Sequence, residues 1–569
     1  MTKKVESLHS RPIDNETKNV NVYSGSSTFL YSSKITGHVN LEETCEILAE
    51  SDAFIFALTN RGKLCYTDDG RLKSKQLNIE AQIADQGITV NGHADFLKAN
   101  PGNCNIYAFL RVLEHLLSEK RLFNAAYGFP TESARIFMRP IAIQYESDDT
   151  YEYIAPYIRI YEGGIISIAL PSVLGFEDAP IEGVIYDEVN KSRQNITSML
   201  CERELYLACA ESQLSQMTRK ERLKQRKAFE SIMRNVLSDP HTVDFIDEPL
   251  TVYELIHTDQ FTLTDVARNL LSVVARTIAL GRVQTRVRWY ANQYKDDSIG
   301  QHWRGKPIIY IKSHTDQKSG SLENWNAHRQ LVNSILIRNV IGKDFTSNDL
   351  QLQDMRNSDD YNSFYTEQVS LMLASSNLNY LLEKRTDYTF DNLIADIQAL
   401  NEASHYILTY YSYASLELEK CGTSNDVARI ELDILNFEET LLSAHKYGEI
   451  AHYIENVLKG DHLTTIYNLM HKKMANTRKR LELDEKITSE SYTRRITIIF
   501  GLIASATLSP ELMQPLAKYL GIASEHEHIN KLYGIAASIA VVAGSLTIIH
   551  YFFKISSLIK RYLNGHYNP

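Results

Sequence analysis

The chain has 569 residues, is 44% hydrophobic and 23% charged, and carries a formal net charge of −10. That length holds more than one domain and a large core, and a mildly acidic balance spread along the chain excludes general nucleic-acid binding. Six cysteines (Cys45, Cys65, Cys104, Cys201, Cys209, Cys421) without a C-x-x-C spacing read as reduced and mostly buried, which excludes a disulfide framework or a zinc site.

Residues 1–30 are polar and without periodicity, so a flexible tail is expected there. Residues 31–370 read as a mixed α/β or α+β domain. "AFIFAL" and "KLCY" flank "TNRG" as a hairpin. "RIFMRPIAIQY", "YIAPYIRIYEGGIISIALP" and "PIIYIKS" are further strands, with Glu162-Gly163-Gly164 as a tight turn. "NIYAFLRVLEHLLSEKRLF" from Asn105 is a helix between them. A long helix is expected near 182–238, because Leu200, Leu207 and Leu214 recur every seven residues beside Ile196, Met199 and Met217. It carries "RKERLKQRK", in which Arg219, Lys220, Arg222, Lys224, Arg226 and Lys227 either bind an anionic nucleotide or lipid headgroup or form a solvated face.

Residues 371–495 read as a helical hairpin and a stalk. "DNLIADIQALNEASHYILTYYSYASLELEK" ends at Cys421-Gly422, and "TSND" offers caps for the next helix. After Gly460-Asp461 nothing forces a stop before Gly501, and a helix from Asp461 to Ser509 would span about 70 Å.

Two transmembrane helices are expected over 496–553. "LYGIAASIAVVAGSLTIIHYFF" from Leu532 has no charged residue, and bilayer length is about 20 residues. "RRITIIFGLIASATLSPELMQPLAKYLGI" from Arg494 would be its partner, with "ASEHEHINK" as the turn. Basic residues flank both outer ends, and 554–569 is a basic tail. The positive-inside rule then places both termini in the cytoplasm, as in a multi-pass protein of the cell inner membrane. The fold class expected is thus an α+β cytoplasmic domain followed by a long helical stalk and a C-terminal two-helix transmembrane hairpin.

Within the first span Thr497, Gly501, Ala504, Leu508, Glu511 and Pro515 fall on one face. A small or polar face is either a close helix contact or a pore lining. Leu508 would gate such a pore by dewetting, and Glu511 is either a pore carboxylate or a cap where Pro510 ends the helix. In the turn, Glu525, His526, Glu527 and His528 are either a cation-attracting mouth or a plain solvated turn.

This order of parts (large α+β domain, helical hairpin, long stalk, short outer turn, second span with basic end) resembles the CorA-type magnesium transporter family, with "RRITIIFGLIASATLSP" similar to that family's stalk-to-pore junction. The resemblance covers 393–560 in topology. It implies a ring-shaped homo-oligomer, a pentamer in that family, with first spans lining a cation path. The family's Gly-Met-Asn signature is absent; "KYLGIAS" stands in its place, with Tyr519 and Gly521, so filter residues are not carried over.

The leading expectation is therefore an oligomeric CorA-like ion channel or transporter, for divalent cations, with a regulatory cytoplasmic domain. The alternatives are an effector in which a cytoplasmic signal molecule switches a membrane-permeabilising part, or a membrane-tethered scaffold. No complete Walker A loop, G-x-G-x-x-G or H-E-x-x-H occurs; no enzyme activity and no cofactor are expected, and any metal stays open.

Overall fold

The isoleucine- and tyrosine-rich runs form strands, as β-branched and aromatic side chains favour. The computed structural model describes residues 20–35, 39–82, 87–123, 132–216, 227, 230–255, 260–282, 305–340, 354–356, 359–385, 388–443, 448–519, 521, 526, 528–534 and a few positions from 536 to 551. They belong to two compact units: Met1–Glu419 with Arg429–Lys473, and Lys420–Ala428 with Met474–Pro569.

The first unit opens with strand β1 (Asn21–Lys34), helix α1 (Leu41–Ala49) and strands β2 (Phe54–Thr59), β3 (Lys63–Asp68) and β4 (Arg71–Gln76). A small hairpin, β5 (Asn78–Gln82) and β6 (Gly87–Asn91), leads to α2 (Ala94–Ala99) and α3 (Asn103–Leu122). Then come β7 (Ser133–Met138), β8 (Ile141–Tyr145), β9 (Tyr151–Ile154), β10 (Tyr157–Tyr161), β11 (Ile165–Pro171) and β12 (Phe176–Pro180). After a π-helical turn at Val184–Val189 follow β13 (Ile196–Glu202), α4 (Arg203–Gln216), β14 (His241–Phe245), β15 (Glu248–Glu254) and α5 (Leu263–Arg282). The remaining elements are β16 (Lys306–His314), α6 (Ser321–Ala327), α7 (Arg329–Leu336), β17 (Tyr361–Tyr365), β18 (Ser370–Ala374), α8 (Ser376–Lys384), α9 (Phe390–Lys420), α10 (Ser424–Ser443), α11 (Gly448–Lys459) and α12 (Asp461–Tyr519).

The main sheet runs β17-β18-β16-β1-β11-β10-β7-β2-β3-β4, with β12 also on β1. A second sheet runs β14-β15-β13-β8-β9. Helices cover both faces of the main sheet. Ile136, Ile158 and Ile160 pack with residues of α1, α4 and α5. Their strand neighbours Phe137 and Tyr157 pack with Phe109, Val112, Leu393 and Ile397 of α3 and α9. The period of two sorts these side chains, and it leaves the central strands buried on both faces. The expected hairpins are present: β2–β3 and β10–β11 are antiparallel, with Gly62 and Gly164 at positive φ in their turns.

Two expectations about this unit are corrected. The segment 182–238 is not one long helix, because Leu200 lies in β13, paired with Ala142 of β8, and the helix begins only at Arg203. The seven-residue leucine spacing there spans a strand and a helix, while Ile196 and Thr197 favour the strand. The tail also ends earlier than residue 30. β1 begins at Asn21 and is paired on both sides along most of its length. Backbone pairing needs no apolar alternation, so the polar run Ser24–Thr28 gave no strand signal.

α9 and α10 form the expected hairpin. Tyr410 stacks on Phe437 at 4.0 Å, and the Tyr410 hydroxyl donates to the Asp433 carbonyl at 3.0 Å. In the second unit Thr423 caps α10: its Oγ1 accepts from the Asp426 N–H at 3.2 Å while Asp426 accepts from the Thr423 N–H at 2.9 Å. The Ser424 N–H donates to Glu485 of α12 at 2.9 Å.

α12 is one helix of 59 residues, about 88 Å long. It passes through Pro510 and ends at Tyr519, so the proline does not terminate it.

The transmembrane hairpin is corrected. Among the described residues, no helix is long and apolar enough to cross a membrane. The stretch from Arg494 is not a separate span but the end of α12, which brings exposed Arg494 and Arg495 with it. Charged side chains dilute the apolar run along one uninterrupted helix. The second stretch, 532–553, lies largely outside the described residues. The membrane and transmembrane character and the multi-pass inner-membrane placement therefore lose their structural basis.

Candidate functional site

Polar residues occupy what should be the apolar face of α9. Gln398, Asn401, Glu402 and His405 are all buried, at 2% exposure or less. A spacing of three and four residues puts 398, 402 and 405 on one side of the helix. Buried polar groups need partners from other elements, and these come from the sheet and from α3.

Arg135 of β7 and Arg159 of β10 stand directly opposite each other. Like charges at such a position repel. Two glutamates offset this. Glu402 lies 2.7 Å from Arg135 and 3.0 Å from Arg159, and Glu119 of α3 lies 2.5 Å and 2.8 Å from the same pair. The Tyr157 hydroxyl donates to Glu402 at 2.7 Å, and Arg159 also donates to the Ser133 hydroxyl at 3.2 Å. Burial alone would raise the Glu402 pKa, but Arg135 and Arg159 hold it well below the usual carboxylate range. This quartet is neutral as a whole and closes the space between sheet, α3 and α9.

A cavity of about 230 Å³ lies beside it. Its walls are β1 at Ser24–Thr28, the β11–β12 loop at Pro171–Gly175, α3 through Tyr107, Arg111 and His115, and α9 through Ile394, Ala395 and Gln398. The loop crosses β1 closely: Gly175 has φ +70°, and a Cβ there would collide with the Gly25 carbonyl oxygen. The floor is buried and aromatic, from Phe137, Tyr157 and His115, with the His115 and Tyr157 rings 5.0 Å apart. The rim is exposed and charged, from Arg111, Lys312 and Asp391, next to Phe390.

Two buried polar atoms in this wall have no hydrogen-bond partner, Gln398 Nε2 and His115 Nδ1. Gln398 Oε1 accepts from the Tyr310 hydroxyl at 2.9 Å, which leaves the amide N–H groups to the cavity. The Ser27 hydroxyl donates to Glu188 on the π-helical turn at 2.6 Å, so Ser27 Oγ can only accept from a further group. Lys191 holds Glu188 in place at 2.8 Å and reaches Glu152 at 2.9 Å. The site thus offers a donor and an acceptor at its floor.

A larger hollow of about 390 Å³ lies under the α9–α10 hairpin, beside Tyr406, Tyr410, Tyr413 and Phe437. Its polar groups answer one another: Lys34 pairs with Glu417 at 2.5 Å, and Tyr410 bonds Asp433. It has no orphaned donor, so the smaller cavity is the better ligand site.

Comparison with protein-family models, curated proteins and solved structures finds no match. The likeness to CorA-type transporters gains no support from them.

The site residues expected from sequence lie elsewhere. Thr497 is on α12 and its hydroxyl donates to the Thr493 carbonyl at 2.9 Å; Gly501 is exposed on the same helix. Ala504, Leu508 and Glu511 follow on its backbone, and their side chains lie outside the described residues. His526 and His528 are exposed, while Glu525 and Glu527 lie outside the described residues. So do Arg219, Lys220, Arg222, Lys224 and Arg226; Lys227 is helical and exposed. None of the described ones reaches the cavity. Among the described residues, no group of three or more His, Cys, Asp or Glu is placed to hold a metal. The missed residues left one legible signal: Gln398, Glu402 and His405 interrupt an otherwise apolar face of α9.

Burial, then the neighbouring Arg135, pushes His115 down to about 3, below the value of about 6.5 in an unfolded chain. His115 is therefore neutral at pH 7, with one ring nitrogen accepting. As the pH falls below about 6.5 the unfolded chain takes up this proton first, so the contribution of His115 is complete above that value and is lost toward the folded pKa. His115→Gln should flatten the fall in stability between pH 6 and 4 by about 1.4 kcal/mol per pH unit. Urea midpoints across that range check this; an unchanged slope would show that His115 does not titrate as a buried group.

Proposed function

We propose that the chain is a ligand-responsive regulatory protein, in which the α+β unit receives a small molecule in the cavity between β1, α3 and α9. The observation that carries the reading is the orphaned donor Gln398 Nε2, 2% exposed at residue level and facing a cavity with cationic groups at its rim. Leaving such a group unpaired costs about 1–3 kcal/mol, which a bound acceptor would recover. α9 supports a signalling role, because it lines the cavity, supplies Glu402 to the quartet and leads through α10 and α11 into α12. His115 stacks near Tyr157, whose hydroxyl bonds Glu402, so an occupant of the cavity touches the network directly. The reading keeps the signal-responsive part of the sequence expectation and drops the membrane crossing.

A thermal-shift screen of small organic anions on the full chain tests it. At least one compound should raise the melting temperature of the wild type. Gln398→Leu should weaken its binding by up to about tenfold, the size of one hydrogen bond. Ile394→Trp, which fills the cavity from a half-buried position, should abolish it. Ligands that bind both variants as tightly as the wild type, or no ligand at all, would overturn the reading.

A further inference from the structure

We propose that the occupant of this cavity is a nucleotide: a flat base on the aromatic floor, a ribose at Asp391 and a phosphate at Lys312 and Arg111. This rests on the ligand-site reading above and deepens it.

Each part of such a molecule meets a matching group. The floor and walls are ring faces, from Phe137, Tyr157, His115, Tyr107 and Phe390, and a planar base gains from stacking on such faces. Gln398 Nε2 offers a donor without a partner, and Ser27 Oγ an acceptor whose own proton is committed to Glu188. A ligand that satisfies both carries an acceptor and a donor on one edge, as the pairing edges of nucleobases do. An aliphatic acid would fill neither role.

The rim decides between a nucleotide and a simpler aromatic acid. Lys312 is exposed, stands 5.4 Å from the Phe390 ring centroid and makes no ion pair among the described residues. Arg111 is anchored by Glu114 at 3.3 Å and Asp391 at 3.2 Å. A compact aromatic carboxylate would gain from the cations but meet repulsion from Asp391. A ribose between base and phosphate removes that conflict, because its hydroxyls donate to the Asp391 carboxylate while the phosphate sits with Lys312. The polar serine run of β1 and the loop closed down by Gly175 form the opposite wall.

Isothermal titration of the full chain with AMP, GMP, CMP and UMP, with their nucleosides and with inorganic phosphate tests this. At least one monophosphate should bind, its nucleoside about tenfold or more weakly, and inorganic phosphate alone not measurably. Lys312→Ala should lower the affinity for that monophosphate about tenfold and leave the nucleoside unchanged. Gln398→Leu should weaken both alike. Equal binding of nucleotide and nucleoside, or a Lys312→Ala effect on both, would overturn the phosphate assignment and with it the proposal. If no monophosphate binds but another anion binds in a way that Ile394→Trp abolishes, the nucleotide class is wrong and the ligand site stands. If nothing binds, both fall.

Discussion

Glu402→Ala should destabilise the α+β unit by about 3–5 kcal/mol, the cost of leaving a buried charge without its partner. Glu402 is 1% exposed and touches Arg135, Arg159 and the Tyr157 hydroxyl. Its removal leaves two facing arginines to share Glu119 alone. The midpoint of urea unfolding of the full chain measures this, and Glu402→Gln, which keeps the shape, serves if the alanine variant does not fold. The pH dependence has a definite sign. The folded pKa of Glu402 is depressed, so its contribution is complete above the ordinary carboxylate value of about 4.3 and is lost as the pH falls toward the folded value. The glutamine variant should lack that acid loss. A change below about 1 kcal/mol in both variants would show that the quartet is not the tightly coupled group its distances indicate.

Lys306→Met should act in the opposite direction and stabilise. Lys306 opens β16 opposite Leu30, is 1% exposed, and its Nζ lies 3.0 Å from the centre of the Tyr365 ring without a hydrogen-bond partner among the described residues. Burial drives its pKa well below the ordinary lysine value, only partly opposed by Glu367. Methionine keeps the length and flexibility of the side chain and removes the unsatisfied amine, a gain of roughly 1–3 kcal/mol. Between pH 8 and 10 the unfolded lysine binds a proton that the folded one refuses, so wild-type stability should rise with pH there. The methionine variant should lose that rise. Equal stability at pH 7 together with an unchanged alkaline slope would mean that Lys306 is charged and satisfied in the folded protein.

Local patterns were enough for several elements. The hairpins around Gly62 and Gly164, strand β16, helix α3 and the α9–α10 turn follow from period, β-branching, glycine and the Thr423–Asp426 cap. These signals act over a few residues, where sequence spacing and spatial spacing coincide. The uninterrupted helix from Asp461 was legible for the same reason, since no glycine or proline breaks it before Gly501.

Tertiary structure alone decided the rest. Leu200 kept a helical spacing yet went into β13, because pairing with β8 outweighed the repeat. The serine run of β1 looked like a tail and became a central strand, since its order comes from backbone partners on both sides. The apolar stretch after Arg494 read as a span in isolation but belongs to a longer charged helix. The candidate site was the least visible. It joins Ser27, His115, Lys312 and Gln398 from four elements far apart in the chain, and no pattern in one segment records which distant residue will meet it. A polar residue on an apolar face, as at Gln398 and Glu402, says only that a partner is required. The register that sets Arg135 opposite Arg159, and the packing of α3 and α9 over it, determine what that partner is.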